Sequence, residues 1–292
     1  MGWVFLLINL SVIFACSMIR FEHRGYFVAC PVPTSYAVGF AALGVAILLM
    51  AGLIVARASR PREGRRAFWE LMAIFPVAFA WEWLFAPAEK WRVVDWAGAA
   101  ALLALIVLFL WRDRADWRRW GLSGANFVPA VKRLAIPTLL FVAAPALATG
   151  FVGSDYASDR VKADLAGYPF YALGQLAIFQ LFLVNRLRKV CTSRAEIIVA
   201  AAGMFAMLHW PNGPLMAGTL VAGAAWTWVY LERPNLIALA LAMALSAVAF
   251  SDLLPRDFTQ NMRTGPWYVQ RKLDFVDHRE PPHERRYGPW LP

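Results

Sequence analysis

The sequence has few cysteines and few charged residues for its length. Its three cysteines, Cys16, Cys30 and Cys191, show no metal-ligand spacing, and their odd number argues against a framework of paired disulfides. Charged residues make up 16% of the 292 residues and hydrophobic residues 60%, which is more apolar than is usual for a soluble protein. This composition favours a protein that folds in lipid.

Charges are nearly absent from nine stretches of the chain. A hydrocarbon core of about 30 Å is crossed by about 20 helical residues, and the apolar runs lack the alternation of barrel strands. The stretches lie near 2–19, 34–56, 68–86, 94–111, 134–152, 168–187, 195–210, 213–231 and 235–254. We therefore predict an all-α polytopic transmembrane helical bundle of nine helices, with eight as the alternative.

The net charge of +10 has a topological explanation that does not need nucleic acid as a partner. With nine spans, the connections on one side hold 16 Lys and Arg residues and those on the other side hold 6. The positive-inside rule then places the N-terminus and the basic connections in the cytoplasm. We expect a multi-pass protein of the cell (inner) membrane, whose Arg/Trp-rich connection at residues 111–122 lies among lipid headgroups.

Few residues inside the spans are polar enough to carry chemistry, and such residues in a membrane are functional candidates. Glu70 and Glu82 share one span, but twelve residues of helix separate them by about 18 Å, so they cannot form a catalytic pair. The remaining candidates are Gln175, Gln180, Asn185 and His209.

The stretch around His209 resembles a motif of the CPBP family of intramembrane proteases, which includes CAAX-prenyl endopeptidases and bacteriocin-processing proteins. Phe205 to His209, FAMLH, matches the family's FxxxH motif, and Trp210, Pro211 and Asn212 follow it. The flanking text resembles the family in order and spacing over about residues 117–250. The resemblance implies a protease-like transmembrane core at 117–254, preceded by N-terminal transmembrane helices at 1–116. A polar and aromatic C-terminal tail at 255–292 follows the core, and we interpret the tail as a contact segment.

The family's other motifs are missing in this sequence. Its glutamate pair and arginine, EExxxR, match QLFLVNR in either of two registers. The first places Gln180 and Leu181 at the glutamates and Asn185 at the arginine. The second places Leu181 and Phe182 at the glutamates and Arg186 at the arginine. The family's second histidine falls on Met243, and Ser246 or Ala247 stands where an Asn or Asp would follow.

These substitutions remove the groups that peptide hydrolysis requires. A glutamine amide does not take a proton from water near neutral pH, and one histidine with amides falls short of the three ligands that a catalytic metal needs. We predict no metal and no cofactor. His209 and Gln180 remain as residual catalytic positions, and Phe205, Asn212, Gln175 and Asn185 are the predicted binding residues, with His209 hydrogen-bonded to Gln180 or Gln175.

The resulting hypothesis is a degenerate protease relative, a pseudoenzyme that binds a membrane protein partner as an accessory or scaffold subunit. One alternative is an active intramembrane endopeptidase of the CAAX-processing type, which uses His209 with Gln180 or with Glu82. The other alternative is a lipid-binding protein or transporter.

Overall fold

The computed structural model of the protein describes residues 2–23, 62–85, 92–112, 120–152, 158–254, 256–259, 262 and 264. All regular structure in these ranges is helical. The α-helices are α1 (Gly2–His23), α2 (Arg62–Phe85), α3 (Arg92–Arg112), α4 (Phe127–Val152), α5 (Ser158–Leu176), α6 (Asn185–Val190), α7 (Arg194–Met207), α8 (Gly213–Glu232), α9 (Leu236–Leu253) and α10 (Arg256–Thr259). A 3₁₀ turn at Gly124–Asn126 precedes α4, and a π-helical segment, Ala177–Val184, joins α5 to α6.

The helices confirm the predicted all-α transmembrane bundle. Eight of the nine apolar stretches coincide with helices, and the stretch at 34–56 lies outside the described residues. Four helices are long and apolar enough to cross a membrane, and they cover Gly124–Ala148, Asp164–Val190, Gly213–Glu232 and Leu236–Leu253. The protein is accordingly a membrane protein.

Helix α9 lies at the centre of the bundle. It packs along α4 and α5 and is more buried than α4, most of which is exposed. Helices α7 and α8 pack against each other, and α1 and α2 join the core through α7 and α6. The peripheral α4 leaves large side chains uncovered, as lipid-facing helices do; they include Ile136, Leu139, Leu140 and Leu147.

Helices α7 and α8 approach each other closely at a glycine. A side chain at Gly223 would meet the Ala202 Cα and the Phe205 ring, both at 3.3 Å. Small residues let the backbones of two membrane helices pack closely. In lipid this packing drives helix association, because the hydrophobic effect does not act between helices there. The pairing of α7 with α8 positions Phe205 beside Trp226, with ring centroids 5.9 Å apart.

Two asparagines set where the last two long helices begin. Asn212 accepts a hydrogen bond from the Leu215 backbone N–H at the start of α8, and Asn235 accepts one from Ala238 at the start of α9. Each asparagine therefore satisfies an N–H that helix geometry leaves without a partner. Gly121, at φ +82°, accepts the Leu236 N–H, and a side chain there would lie 2.6 Å from the Asn235 nitrogen.

A buried ion pair connects α2 to the core. Glu70 contacts Arg186 Nε at 2.5 Å, and Arg186 also donates to the Phe109 carbonyl and lies over the Phe182 ring. Arg66 approaches the other carboxylate oxygen of Glu70 at 2.8 Å from a half-exposed position. Glu70, a candidate for intramembrane chemistry, is thus engaged in a structural contact.

We expect Glu70→Ala to destabilise the fold strongly, because it leaves the Arg186 guanidinium buried without its carboxylate. Removal of one partner from a buried pair costs about 3–5 kcal/mol. Arg66→Ala is the matched control, since its exposed contact is worth at most about 1 kcal/mol. Denaturant titration of the purified protein in detergent measures both losses. The interpretation fails if the two variants lose equal stability.

Candidate functional site

The π-helical segment determines which motif residues face the centre of the bundle. Within it, Gln180 Nε2 donates to the Thr227 hydroxyl on α8, at 3.3 Å. Asn185, which follows it, donates to the Tyr230 hydroxyl on the same helix, whereas Arg186 faces Glu70 on α2. Gln180 and Asn185 therefore share the α8 side.

A cavity lies among the π-helical segment, α5, α7, α8 and α9. Its inner part is lined by Gln180, Phe179 and Thr227, and its outer part by His209, Ser246 and Ala247. The two parts adjoin, because both are lined by Gln175, Phe205, Trp226 and Met243. Folding thus brings together at least one position from each of the three family motifs, and the positions are separated by up to 67 residues along the chain.

His209 has a different partner from the one that the sequence predicts. Its Nδ1 lies 2.7 Å from the Phe205 carbonyl oxygen, one turn back. A carbonyl only accepts, so Nδ1 carries the proton, and Nε2 of the neutral ring is an acceptor. The Phe205 ring meets the imidazole edge to face, with centroids 5.1 Å apart. The expected bond to Gln180 or Gln175 is replaced by this local contact, which keeps the ring at the end of α7.

The cavity wall carries polar atoms without a partner among the described residues. Gln180 is 3% exposed and Trp226 is 4% exposed, and neither Gln180 Oε1 nor Trp226 Nε1 has a hydrogen bond. Gln175 donates to the Tyr171 hydroxyl through Nε2 and leaves its Oε1 unpaired in the same cavity. None of the residues that line the cavity is an Asp, Glu, Lys or Arg. The site is polar, but its lining contains no carboxylate, ammonium or guanidinium group.

Two of the predicted binding residues do not line this cavity. Asn185 donates to the Leu181 carbonyl and to Tyr230, whose hydroxyl in turn donates to the Trp120 carbonyl. Asn212 begins α8 and donates to the Thr259 carbonyl in α10. Both side chains therefore hold elements in place. The side chain of Glu82, the carboxylate of the alternative enzyme reading, lies outside the described residues.

The sequence analysis missed Trp226 and Thr227, which are central to the cavity. They belong to an apolar span, where a single tryptophan or threonine does not by itself indicate a functional site. The signal that could have identified them is helical spacing: Thr227 and Tyr230 lie three residues apart, so they share a face of α8. That face contacts Gln180 and Asn185.

The segment that contains this cavity can be compared with known proteins. Residues 167–249 match the family model of "Type II CAAX prenyl endopeptidase Rce1-like" proteins. This part of the chain is CAAX-protease-like. The match confirms the resemblance seen around His209 and includes Gln175, Gln180, Met243 and Ala247. No curated protein and no solved structure matches the chain significantly.

The described residues contain no group of three or more His, Cys, Asp and Glu side chains placed to hold a metal ion. The cavity itself offers one imidazole, two amides and hydroxyl groups. A single imidazole can exchange a proton with water, but no carboxylate lines the cavity to work with it.

The tail after α9 closes against the outer part of the cavity. Asn212 holds Thr259 through a 2.9 Å hydrogen bond, Thr259 is fully buried, and Met262 lines the outer part. The one asparagine that starts α8 therefore also positions the segment beside His209.

We expect Asn212→Asp to loosen α10 while it preserves α8. An aspartate keeps the oxygen that accepts from Leu215 but loses the donor to the Thr259 carbonyl, and a lost hydrogen bond of about 1 kcal/mol corresponds to several-fold faster local opening. The rate of backbone amide hydrogen exchange at Arg256–Thr259 measures this local opening. Asn235→Asp, which loses the equivalent donor to the Ser123 carbonyl at 3.0 Å, should leave α10 unchanged. Equal exchange in both variants would contradict the assignment.

Proposed function

We propose that the protein is a non-catalytic relative of the CAAX prenyl endopeptidases, which serves as an accessory or scaffold subunit for a membrane protein partner. The observation that carries this proposal is the uncharged cavity. Gln180 and Met243, which stand at positions of a family glutamate and of its second histidine in the sequence alignment, both line this cavity.

The chemistry of the retained groups argues against hydrolysis. Water becomes a useful nucleophile when a base removes its proton, and the loss of a general base alone costs about 10²–10⁴ in rate. Gln180 cannot take the role, since an amide is not a base at neutral pH. His209 Nε2 could accept a proton. The lining of the outer part of the cavity, however, contains no carboxylate to orient a water or to stabilise the charge that develops.

Glu70 does not replace the missing carboxylate. It is bound to Arg186 and Arg66 on the α2 side of the π-helical segment, whereas Gln180 faces α8. To act on a substrate in the cavity it would have to leave a buried guanidinium unpaired, which costs several kcal/mol. The buried carboxylate of α2 therefore supports a structural role.

The proposal includes a place and an orientation in the cell. The excess of Lys and Arg on alternate connections supports a multi-pass protein of the cell (inner) membrane with a cytoplasmic N-terminus. Under this orientation α7 begins near the basic connection at 186–194 on the cytoplasmic side, and His209 at its other end lies toward the outer side. The cavity would then open away from the cytoplasm, and Arg and Trp residues at 111–122 would contact headgroups.

We expect the purified protein in liposomes to leave a farnesylated CAAX-type peptide uncleaved. Mass spectrometry of the peptide should give the same background for the wild type, for Gln180→Ala, for His209→Ala and for empty liposomes, because no lining residue supplies the general base. An active CAAX endopeptidase in the same liposomes shows that the substrate is competent. Cleavage by the wild type that His209→Ala abolishes would refute the proposal.

The partner is tested by mass measurement in mild detergent. We expect the protein from its native membrane to elute with a second membrane protein in fixed stoichiometry. The substitutions Ile136→Ala and Leu140→Ala, which shorten exposed side chains of α4, should leave the fold intact but reduce the amount of partner bound per chain. The peripheral position of α4 is the reason for the choice. Val107→Ala on α3, where the side chain is also more than half exposed, is the control. A monodisperse single chain would contradict the accessory role.

A further inference from the structure

Arg188 carries a positive charge that no carboxylate of the described residues contacts. It belongs to the last turn of α6, and its guanidinium lies over the Tyr230 ring, 5.6 Å from the ring centroid. The neighbouring charged side chain that acts on it is Arg194, at the start of α7, and this interaction is repulsive. Both arginines are exposed. Two like charges that repel each other become favourable only when an anion binds to both.

The acidic side chains of this region are already engaged. Glu196, in the first turn of α7, accepts hydrogen bonds from the backbone N–H groups of Gly2 and Thr192, at 2.8 and 2.9 Å. Glu232, at the end of α8, contacts Arg133 on α4. These two carboxylates therefore do not neutralise the pair of arginines, which is left to attract an anion from outside the chain.

We propose that Arg188 and Arg194 bind the phosphate of a lipid whose headgroup has a net negative charge. An arginine suits this ligand, because its planar guanidinium can donate two parallel hydrogen bonds to phosphate oxygens. The N-terminus of α7 adds a partial positive charge beside Arg194. This proposal goes beyond the accessory role, since the site needs no partner protein.

Tyr230 gives Arg188 a fixed support. Its hydroxyl donates to the Trp120 carbonyl at 2.9 Å and accepts from Asn185 Nδ2 at 3.3 Å, and the side chain is fully buried. A guanidinium that already lies over a rigid ring loses little conformational freedom when it binds a ligand. The arginine is thus held in place before the phosphate arrives.

The site lies at the depth of lipid headgroups. Arg188 is two residues from the end of the membrane-spanning stretch Asp164–Val190, and Tyr230 is two residues from the end of Gly213–Glu232. The ends of such helices reach the interface, where the lipid phosphates are. This depth favours a lipid over a soluble phosphate.

The charges at the site also select among lipids. A choline headgroup would bring an ammonium toward two guanidinium groups, with no free carboxylate of Glu196 or Glu232 to receive it. A glycerol headgroup brings only hydroxyl groups, so phosphatidylglycerol keeps the full attraction of its phosphate. We therefore expect the site to prefer phosphatidylglycerol to phosphatidylcholine.

The test is native mass spectrometry of the full chain in a neutral detergent, titrated with phosphatidylglycerol or with phosphatidylcholine of the same acyl chains. We expect the first phosphatidylglycerol molecule to bind at least about tenfold more tightly, the factor of one additional charge-assisted hydrogen bond. Glycerophosphoglycerol, the same headgroup without acyl chains, distinguishes a lipid from a soluble phosphate. It should not displace phosphatidylglycerol at equal concentration, and displacement would overturn the assignment to a lipid.

Matched variants separate this site from general surface charge. Arg194→Gln should weaken phosphatidylglycerol binding about tenfold and leave phosphatidylcholine binding unchanged. Lys132→Gln removes one positive charge from an exposed position of α4, which packs against α8 and α9, and should change neither. Arg188→Lys keeps the charge but loses the planar guanidinium, and should weaken phosphatidylglycerol binding several-fold.

Three results would overturn the proposal. Equal binding of the two lipids, or equal losses in Arg194→Gln and Lys132→Gln, would indicate attraction by diffuse surface charge. Wild-type binding by Arg188→Lys would show that the guanidinium geometry has no role. Phosphatidylcholine binding serves as the internal control, because a misfolded variant would lose both lipids. None of these results bears on cleavage of the farnesylated peptide.

Discussion

A polar side chain inside this bundle has to find its partner within the protein, because lipid offers none. The Glu70–Arg186 pair is the strongest instance, since it puts two full charges in contact and ties α2, α3 and the π-helical segment together through the Phe109 carbonyl and the Phe182 ring. Asn185, Asn212 and Asn235 follow the same rule with neutral groups. The fold is thus held at several points by polar contacts that an apolar environment strengthens.

Some buried side-chain atoms of the described residues have no hydrogen bond, and three of them belong to residues that line the cavity. Gln180, Gln175 and Trp226 each keep one side-chain atom without a hydrogen bond, and all three line this cavity. The contrast between Asn185, which bonds to two groups, and Gln180, five residues earlier on the same side, is the clearest example.

Much of the fold was accessible from the sequence, and so was part of the site. The apolar stretches predicted the helices because the length of a span and the exclusion of charge are local properties, and Gln180, Phe205 and His209 were found by motif spacing. The two registers of QLFLVNR could not be separated in this way, since a π-helical segment alters which residues share a face and no local pattern reports it. Trp226 was missed because its role depends on the approach of α8 to α7 at Gly223.

The sequence by itself determined that the chain is a helical membrane protein and that the glutamates and second histidine of a CAAX-type protease are absent. These conclusions need only residue identity and order. Only the tertiary structure decided that Glu70 pairs with Arg186, that Asn212 holds the tail, and that Gln180, His209, Met243 and Trp226 surround one uncharged cavity. Those facts depend on the rotation and spacing of helices that are far apart in the chain, which packing sets and local pattern does not.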